Sequence, residues 1–332
     1  MLNSAPRVAV TRASLPGNGV DRLAAHADVV RYDGKEPPEP AALEALVSGA
    51  NGLLCLGNDR VDGALLDAAG PSLQAVALAS MGFDAVDQSA AAERGVVVSH
   101  TPGVLAETTA DLAFSLILMA RRRLVGATYH LRAGGWVSFR MGDYLGLDVH
   151  GATLGLVGYG QIGRALARRA RGFGMRVLHH DPHATTDDDL SRAVGFSAVL
   201  AESDIVSLHV PLTQQTRHLI AASELAAMKP TATLVNTSRG GVVDEDALLT
   251  ALRDGQIHSA GLDVFESEPL HDTASPLLHE RRLVVLPHVG SATQATRAAM
   301  VDLAVDNLLD VLSGRPARTP LPGTKTTTNG GS

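Results

Sequence analysis

Strand-like apolar runs alternate with helix-like segments along the first hundred residues of the chain. The runs are short and rich in Val, Leu and Ala, and the segments between them carry apolar residues at helical spacing. Alternation of this kind predicts a doubly wound unit built on a parallel sheet. The predicted strands are 7–11, 28–32, 51–56, 73–79 and 95–99, and the predicted helices are 20–26, 41–47, 63–69 and 89–94.

A second alternating set follows a long predicted helix over about 104–123. It predicts a second α/β unit, after which a helix over about 292–313 is expected to run back to the first unit. The tail beyond that helix is rich in Pro, Gly and Thr and is expected to be flexible. The predicted strands of the second set are 153–157, 176–180, 205–210, 232–237, 259–264 and 282–287, and the helices are 161–172, 198–202, 223–227 and 245–254.

Three glycines stand between the first strand and the first helix of the second set. Residues 151–163 read GATLGLVGYGQIG, which places Gly158, Gly160 and Gly163 in a GxGxxG pattern. Such glycines permit a tight turn, a close approach of the backbone to a pyrophosphate and close helix–strand packing. The helix N-terminus then offers free N–H groups and a partial positive charge to phosphates. The order of strand, glycines, helix and second strand predicts a dinucleotide-binding βαβ unit.

An acidic residue, Asp181, ends the next apolar stretch, near the roughly 20-residue spacing expected after the glycines. A carboxylate there accepts hydrogen bonds from ribose hydroxyls and repels a 2′-phosphate. The stretch HHDPHATT around it contains no Arg, so NAD is predicted rather than NADP. The neighbouring His179, His180 and His183 invite a metal interpretation, but no Cys or second acidic cluster completes a ligand set, and no metal is predicted.

Composition supports a globular intracellular protein. The chain has 332 residues, 45% of them hydrophobic, and a formal net charge of −7. A negative balance argues against binding to nucleic-acid phosphates. The single cysteine, Cys55, excludes an internal disulfide and is typical of a reducing compartment. No signal peptide or membrane-spanning run is apparent, so a cytoplasmic location and no membrane partner are expected.

Candidate catalytic residues follow three successive strands of the second set. Arg239 lies in VNTSRGGVVD, Asp263 and Glu268 lie in GLDVFESEP, and His288 lies in VVLPHVGSAT. Ligands of open α/β sheets bind beyond the carboxyl ends of the strands, so these side chains are expected to converge. Arg239 has donors that match a carboxylate, His288 exchanges protons near neutral pH, and Glu268 can orient the imidazole.

With these motifs in place, the chain resembles the D-isomer-specific 2-hydroxyacid dehydrogenases over about residues 5–315, most closely the glyoxylate/hydroxypyruvate reductase group. The blocks that carry the resemblance are GFDAVD (82–87), TPGVLAETTADLAFSLIL (101–118), GLVGYGQIGRALARRARGFGM (155–175), VNTSRGGVVDEDAL (235–248), GLDVFESEP (261–269) and LPHVGSAT (286–293).

The resemblance implies specific roles for these residues. Arg239 is expected to bind the substrate carboxylate and carbonyl, and His288 to be the acid–base group supported by Glu268. Asp263 is expected beside the nicotinamide carboxamide. Substrate contacts are expected at Leu56 and at Ser80, Met81 and Gly82, the last three through main-chain N–H groups, together with Arg239 and His288. Cofactor contacts are expected at Thr109, Gly158, Gly160, Gln161, Ile162, Gly163, Asp181, Val210, Pro211, Thr216, Thr237, Ser238, Arg239, Asp263, His288 and Gly290.

The resemblance also implies the architecture. A Rossmann coenzyme domain is expected to be inserted in a flavodoxin-like substrate domain, both with doubly wound parallel sheets. The expected boundaries are 1–102 for the first part of the substrate domain, 103–287 for the NAD-binding domain, 288–315 for the return helix and 316–332 for the flexible tail. A homodimer is expected to form through residues 104–150.

The implied activity is reduction of a small 2-oxo acid, such as glyoxylate or hydroxypyruvate, to the D-2-hydroxy acid with NAD(P)H. Met81 stands where the related phosphite dehydrogenases carry a Lys, and Glu268 where formate dehydrogenases carry Gln. Two alternatives stay open. The same fold could act on another substrate, such as 2-ketogluconate or phosphite, or the chain could be an NAD(H)-sensing, corepressor-like binding protein.

Overall fold

The strands and helices are described from a computed structural model that covers residues 5–34 and 36–322. The described chain divides into two units. Unit 1 comprises the residues up to Leu105 together with those from Ser291 onward, and unit 2 comprises Ala106–Gly290. Unit 2 is therefore an insertion in the sequence of unit 1. The divisions lie three residues beyond the expected domain boundaries at 102 and 287.

Unit 1 is built on five parallel strands in the order β2-β1-β3-β4-β5, the flavodoxin-like order. Asp62 and Asp87 start two of its helices by accepting main-chain N–H groups of the first turn. Its strands are β1 (Arg7–Val10), β2 (Asp28–Arg31), β3 (Gly52–Cys55), β4 (Ala75–Leu78) and β5 (Val97–Ser99). The first helices are α1 (Gly19–Ala24), α2 (Pro40–Val47), α3 (Gly63–Ala69) and α4 (Gln88–Glu93).

Unit 2 begins with two helices. The helix predicted over 104–123 is shorter, α5 (Ala106–Arg121), because Arg123 adopts a left-handed conformation (φ 55°) and interrupts it. A further helix, α6 (Leu124–Arg132), then follows, which the sequence did not predict. The guanidinium of the buried Arg121 donates to the carbonyls of Asp148, Asp204 and Thr231, which ties the end of α5 to the sheet.

Seven parallel strands form the sheet of unit 2. They are β6 (Thr153–Val157), β7 (Arg176–His180), β8 (Arg192–Ala193), β9 (Ile205–Leu208), β10 (Thr233–Asn236), β11 (Ser259–Leu262) and β12 (Leu283–Val285). The helices between them are α7 (Gln161–Gly172), α8 (Phe196–Glu202), α9 (Ala222–Ala227), α10 (Glu245–Arg253) and α11 (Pro276–His279), with a 3-10 turn at Gly240–Val242.

The strand order of this sheet is β12-β11-β10-β9-β6-β7-β8. Successive strands are added toward one side after β6 and toward the other side from β9 onward, so the strand order reverses between β6 and β9. In open parallel sheets, ligands bind at such a reversal, beyond the carboxyl ends of the strands. Helices cover both faces. Leu116, Ile117 and Leu166 of α5 and α7 are fully buried on one face, and Leu225 and Leu248 of α9 and α10 on the other.

The last helix, α12 (Gln294–Leu312), belongs to unit 1 and packs on β3 and β4. Its residues Val301, Val305 and Leu308 are buried in one apolar cluster with Val8 and Ala77 of the sheet. The side chain of Thr293 caps its first turn. The expected return helix is therefore present and covers one face of the first sheet.

Residues 316–322 are not the flexible segment that was expected. Ala317 and Leu321 are buried, and Leu321 N donates to Val98 O at 2.8 Å. Pro320 bridges Ser99 of β5 in antiparallel orientation. The segment is ordered because it adds main-chain hydrogen bonds and apolar burial to the edge of the sheet. The rest of the expected tail, 323–332, lies outside the described residues. No helix within the described ranges is long and apolar enough to cross a membrane.

Candidate active site

The glycine turn joins β6 to α7 at the reversal of the second sheet. Gly158 has a φ of +94°, and a Cβ there would lie 2.5 Å from His209 O, so only glycine fits. A Cβ at Gly163 would collide with Gly158 O. Gly160 is the N-cap of α7, and a Cβ built on it meets nothing within 4 Å. The turn therefore packs tightly on its protein side and is open at the start of the helix, where a phosphate would lie.

Asp181 is fixed beside this turn at the end of β7. Its Oδ2 accepts the N–H of Tyr159 at 2.7 Å, and its Oδ1 accepts the N–H of His183 at 2.8 Å. A carboxylate has about four acceptor positions, so the half-buried group can still receive ribose hydroxyls. The hydrogen bond from Tyr159 N–H to Asp181 thus joins the glycine turn directly to the acidic residue of the predicted cofactor motif.

The side chain of Tyr159 forms a second link that sequence reasoning missed. Its buried ring stacks on His179 with the centroids 3.9 Å apart, and the Arg164 guanidinium lies 4.3 Å from the ring centroid. Its hydroxyl donates to Asp188 at 3.0 Å, and Arg164 pairs with the same carboxylate at 2.7 Å. Burial and the Asp188 carboxylate raise the pKa of Tyr159. This cluster holds the loop after β7 against the start of α7.

His179 is engaged within the protein. Its Nδ1 lies 2.9 Å from Ser191 Oγ and its Nε2 lies 2.9 Å from Ala184 O. Because both ring nitrogens have protein partners, His179 supports the fold at this position. Among the described residues, no group of three or more His, Cys, Asp or Glu side chains is arranged to hold a metal ion.

The loop after β9 lies next to the glycine turn, because β9 is the neighbour of β6. Thr216 Oγ1 donates to Pro211 O at 2.6 Å and accepts the Thr213 N–H at 2.7 Å, which closes the loop. Val210 packs against the core cluster on its side of the sheet. Three expected cofactor residues, Val210, Pro211 and Thr216, therefore lie at the reversal point. Gln161 and Ile162 begin α7 at the same place.

The loop after β10 is held by the buried side chain of Asn236. Its Nδ2 donates to Arg239 O at 2.8 Å, while its Oδ1 accepts both the N–H and the hydroxyl of Ser238. The Arg239 guanidinium donates to Ser238 O at 2.8 Å and is half-buried. Thr237 carries a buried Oγ1 that has no hydrogen-bond partner within the described residues. This hydroxyl is therefore available to hydrogen-bond a group bound at the strand ends.

Gly240 brings this loop against the next one. A Cβ on Gly240 would collide with the main chain at Phe265, so the two loops touch backbone to backbone. Glu268 follows in the second loop, and its Oε1 accepts the N–H of Phe265 at 2.9 Å. Close packing of the two loops therefore fixes the backbone around both Arg239 and Glu268.

Asp263 is almost fully buried, at 1% exposure, between the ends of β11 and β12. Its two carboxylate oxygens accept the N–H groups of Val289 and Gly290, both at 2.8 Å, and its carbonyl accepts the N–H of His288 at 2.9 Å. Thr109 Oγ1 donates to Gly290 O at 3.3 Å. Burial raises the pKa of Asp263 to about 6, against the opposing effect of the Val289 N–H. The carboxylate thus fixes the main chain around His288.

His288 and Glu268 form the centre of the site. The Nδ1 of His288 lies 2.7 Å from Glu268 Oε2, and the imidazole is 52% exposed. An ionised carboxylate only accepts, so Nδ1 carries the hydrogen and Nε2 can exchange a proton with a ligand. Burial opposes ionisation of Glu268, but the hydrogen bonds from His288 and Phe265 outweigh it and hold the pKa of Glu268 below its usual value. This arrangement is suited to general acid–base chemistry.

The other expected substrate residues belong to unit 1. Leu56 follows β3, and its N–H donates to the buried Asp59 carboxylate at 2.8 Å. Ser80, Met81 and Gly82 follow β4 and are half-buried. Their N–H groups, here called the anion cradle, donate to no acceptor within the described residues. Main-chain N–H groups without an acceptor in the protein are available to donate to a bound anion.

Comparison with known proteins places this geometry in one family. Residues 114–290, more than half of the chain, match the model of the D-isomer specific 2-hydroxyacid dehydrogenase, NAD binding domain. The chain belongs to the D-isomer specific 2-hydroxyacid dehydrogenase family. It is therefore an oxidoreductase that uses a nicotinamide dinucleotide, as the sequence predicted.

Relatives of this dehydrogenase cover nearly its whole length. It is 44% identical over 310 residues to the glyoxylate reductase of Korarchaeum cryptofilum, covering 92% of each chain. It is 42% identical to the glyoxylate reductase of Thermococcus litoralis, covering 93% of this chain and 94% of that one. A structure of an NADPH-dependent glyoxylate/hydroxypyruvate reductase from Sinorhizobium meliloti, in complex with NADP and malonate, matches with a TM-score of 0.84 at 37% identity, covering 98% and 99% of the two chains.

The dehydrogenase's own residues fit a dinucleotide. The open start of α7, the fixed Asp181 carboxylate and the unpartnered Thr237 hydroxyl all lie at the carboxyl ends of the strands of unit 2.

Sequence reasoning placed the glycines and the acid, but it missed Tyr159 and Asn236. Both residues lie between motif positions, and only their side-chain hydrogen bonds distinguish them from other residues there. In the sequence they are marked only as members of the pairs GY and NT within the blocks that carry the family resemblance.

Proposed function

We propose that this dehydrogenase reduces a small 2-oxo acid to the corresponding D-2-hydroxy acid. The observation that carries the proposal is the His288–Glu268 hydrogen bond of 2.7 Å, at the same edge of the sheet, beyond the carboxyl ends of the strands, as the glycine turn. When bound, the reduced nicotinamide supplies a hydride to the carbonyl carbon. Glyoxylate and hydroxypyruvate are the favoured substrates, because the relatives named above act on them.

His288 is the proton donor for the carbonyl oxygen in reduction and the acceptor in the reverse direction. Glu268 keeps its negative charge, since its pKa is held below the usual value, and it accepts the hydrogen on Nδ1 of His288. Hydrogen bonding at Nδ1 also fixes the ring so that Nε2 performs the exchange. Asp263 supports the pair by holding the main chain of residues 288–290.

Arg239 binds the carboxylate and polarises the carbonyl, where negative charge develops. Its loop is rigid, since Asn236 and the close contact of Gly240 with Phe265 fix the backbone on both sides. The anion cradle of unit 1 binds the substrate carboxylate through main-chain N–H groups. A carboxylate adjacent to a carbonyl therefore defines the substrate class.

The favoured cofactor is NADH. Asp181 presents a carboxylate fixed by two main-chain N–H groups at the end of β7, and a fixed negative charge repels a 2′-phosphate. The S. meliloti relative is NADPH-dependent, so the preference is a property to be measured for this chain. An NADH-to-NADPH ratio of kcat/KM above ten supports the assignment, and a ratio below one-tenth contradicts it.

A homodimer that forms through residues 104–150 is part of the proposal. Large apolar side chains in this stretch are exposed, among them Val137 at 80%, Phe139 at 79% and Met141 at 85%. Exposed apolar patches of this kind typically mark protein–protein contacts. Light scattering tests it: Phe139→Glu should shift the mass toward one chain, whereas Leu278→Glu, on an exposed residue elsewhere, should not.

The function is tested with a panel of 2-oxo acids and both reduced cofactors. Wild type should oxidise NADH with glyoxylate or hydroxypyruvate, and chiral analysis should return the D-hydroxy acid. His288→Ala should lower kcat/KM by a factor on the order of 10² to 10⁴. NADH binding, followed by the change in fluorescence on mixing, should be retained. His279→Ala, on an exposed histidine of the same unit outside the proposed dimer contact, is the matched control. Binding of NADH without turnover of any 2-oxo acid would overturn the proposal.

The cytoplasmic location expected from the sequence stays a prediction. Cys55 is buried and has a free thiol, and burial raises its pKa well above the usual value. The protein therefore has an unreactive thiol, which suits a reducing compartment.

A further inference from the structure

Three consecutive carbonyl oxygens behind the anion cradle are each held by a hydrogen bond from unit 1. Thr101 N donates to Ser80 O at 2.8 Å. His100 Nδ1 lies 2.8 Å from Met81 O. The Ser80 hydroxyl donates to Gly82 O at 2.6 Å. Each of the three carbonyls of residues 80–82 thus accepts a hydrogen bond, while the N–H groups of the same residues have no acceptor within the described residues.

The planar trans peptide connects these two facts. In a trans peptide, the carbonyl of one residue and the N–H of the next point in opposite directions. A donor on Met81 O therefore fixes the direction of the Gly82 N–H, and a donor on Ser80 O fixes that of the Met81 N–H. The donor on Ser80 O is a main-chain group, the Thr101 N–H. The donor on Met81 O is a side chain, the His100 imidazole.

His100 is itself fixed from several sides. Its N–H donates to Thr319 O at 3.1 Å, and its carbonyl accepts the Thr319 hydroxyl at 2.6 Å. Its ring meets Phe83 edge-on, with the centroids 5.5 Å apart. Asn307 of α12 in turn bonds Thr319 through both its amide oxygen and its amide nitrogen. The main chain of His100 is therefore fixed by Thr319, and its ring is placed by the contacts with Phe83 and Met81 O.

We propose that His100 is a positioning residue for substrate binding, which orients the Gly82 N–H toward the carboxylate of the 2-oxo acid. The inference rests on the proposed function, because it takes the anion cradle as the carboxylate site. Since a carbonyl oxygen only accepts, Nδ1 must carry the hydrogen. The imidazole is therefore the donor, and Met81 O the acceptor, of the 2.8 Å hydrogen bond between them.

Two substitutions separate the donor from the ring. His100→Asn keeps an N–H donor near the position of Nδ1 and removes the ring. His100→Phe keeps a flat ring against Phe83 and removes the donor. The matched control is His26→Phe, on an exposed histidine of the same unit whose side chain makes no hydrogen bond within the described residues.

The measurements are kcat and KM for glyoxylate, the Kd for NADH, and the Kd for oxamate in the enzyme–NADH complex. Oxamate is an unreactive amide analogue of a 2-oxo acid, so its binding is read without turnover. His100→Phe should raise the KM for glyoxylate and the Kd for oxamate by about tenfold, the effect of losing one hydrogen bond. The Kd for NADH should stay unchanged, and His100→Asn should restore most of the oxamate affinity.

Equal oxamate affinity in wild type and His100→Phe, or a loss in His100→Asn that exceeds the loss in His100→Phe, would overturn the positioning role. A parallel rise in the Kd for NADH would indicate a general structural defect and would also overturn it. These outcomes are distinct from failure of the proposed function, which would appear as absence of turnover in wild type and in His26→Phe. A wild type that turns over glyoxylate while the His100 variants behave like it rejects only the present inference.

Discussion

Replacing Asp263 by Asn should change how the stability of the protein depends on pH. Burial raises the pKa of this carboxyl group from 3.8 to about 6. A carboxyl group with a raised pKa binds its proton more tightly in the folded than in the unfolded state. Its contribution to stability is therefore full below about pH 4 and is lost as the pH rises through 6. The Asn side chain does not titrate, so the difference between the two proteins isolates this group.

The size of the effect follows from the shift. A displacement of about two pKa units corresponds to roughly 3 kcal/mol of unfolding free energy. Relative to the Asn variant, wild type should lose about that amount between pH 4 and pH 7. A second, constant term arises because the Asn amide nitrogen cannot accept, so one of the N–H groups of Val289 and Gly290 loses its partner at a cost of about 1–3 kcal/mol. In a plot of the difference in unfolding free energy against pH, the titration of Asp263 gives the slope and the lost hydrogen bond gives the constant offset.

The assay is denaturant unfolding of both proteins from pH 4 to pH 8, followed by far-ultraviolet circular dichroism, which reports the loss of helices and strands. Fluorescence of the single tryptophan is unsuited, because Trp136 is 56% exposed and lies in the segment proposed to form the dimer. A difference curve that is flat, or that rises with pH, would refute the reasoning. It would mean that the two N–H donors stabilise the carboxylate more than burial destabilises it. The same variant should lower kcat/KM more than tenfold, since the main chain under His288 loses a support.

Four further outcomes are expected. Arg239→Lys should lower kcat/KM on the order of 10²-fold with little change in NADH affinity, because Lys lacks the fork of donors; a near-wild-type value would remove Arg239 from the substrate site. Glu268→Gln should cost stability above the ordinary Glu pKa of 4.5, and this cost should disappear as the pH falls through the lowered pKa of the folded state; unfolding at several pH values checks this. Tyr159→Phe should lower Tm and weaken NADH several-fold through loss of the bond to Asp188, while kcat at saturating NADH is kept. Gly57→Ala should raise the KM for glyoxylate, because its Cβ would lie 2.6 Å from Ser80 Oγ; an unchanged KM would show that the loop yields.

Short-range patterns in the sequence were sufficient for the cofactor half of the site. The turn at Gly158 and the helix from Gln161 follow from residues within a few positions of each other, and α7 begins and ends where it was predicted. The expected proximity of Glu268 and His288 also holds, because adjacent parallel strands end at one edge of the sheet. The catalytic and binding roles of these residues stay predictions.

Long-range contacts account for what the sequence did not predict. The bond from Thr319 to the His100 carbonyl joins residues 219 positions apart, and no local pattern marks Thr319 inside a Pro- and Gly-rich stretch. Composition predicted a flexible segment there, but packing on the sheet edge outweighed it. Likewise, the left-handed backbone of His288 (φ 52°) depends on the hydrogen bonds that Asp263 makes to the residues around it.

The position of α12 in the sequence affects how the protein emerges during synthesis. Unit 2 is one continuous stretch and can fold once its own residues have left the ribosome. The sheet of unit 1 is translated first, yet the apolar face around Val8 and Ala77 stays uncovered until Val301 and Leu308 arrive. A nascent chain therefore carries an exposed, aggregation-prone sheet while nearly two hundred residues are added, a period in which a chaperone that binds apolar strands would have its target.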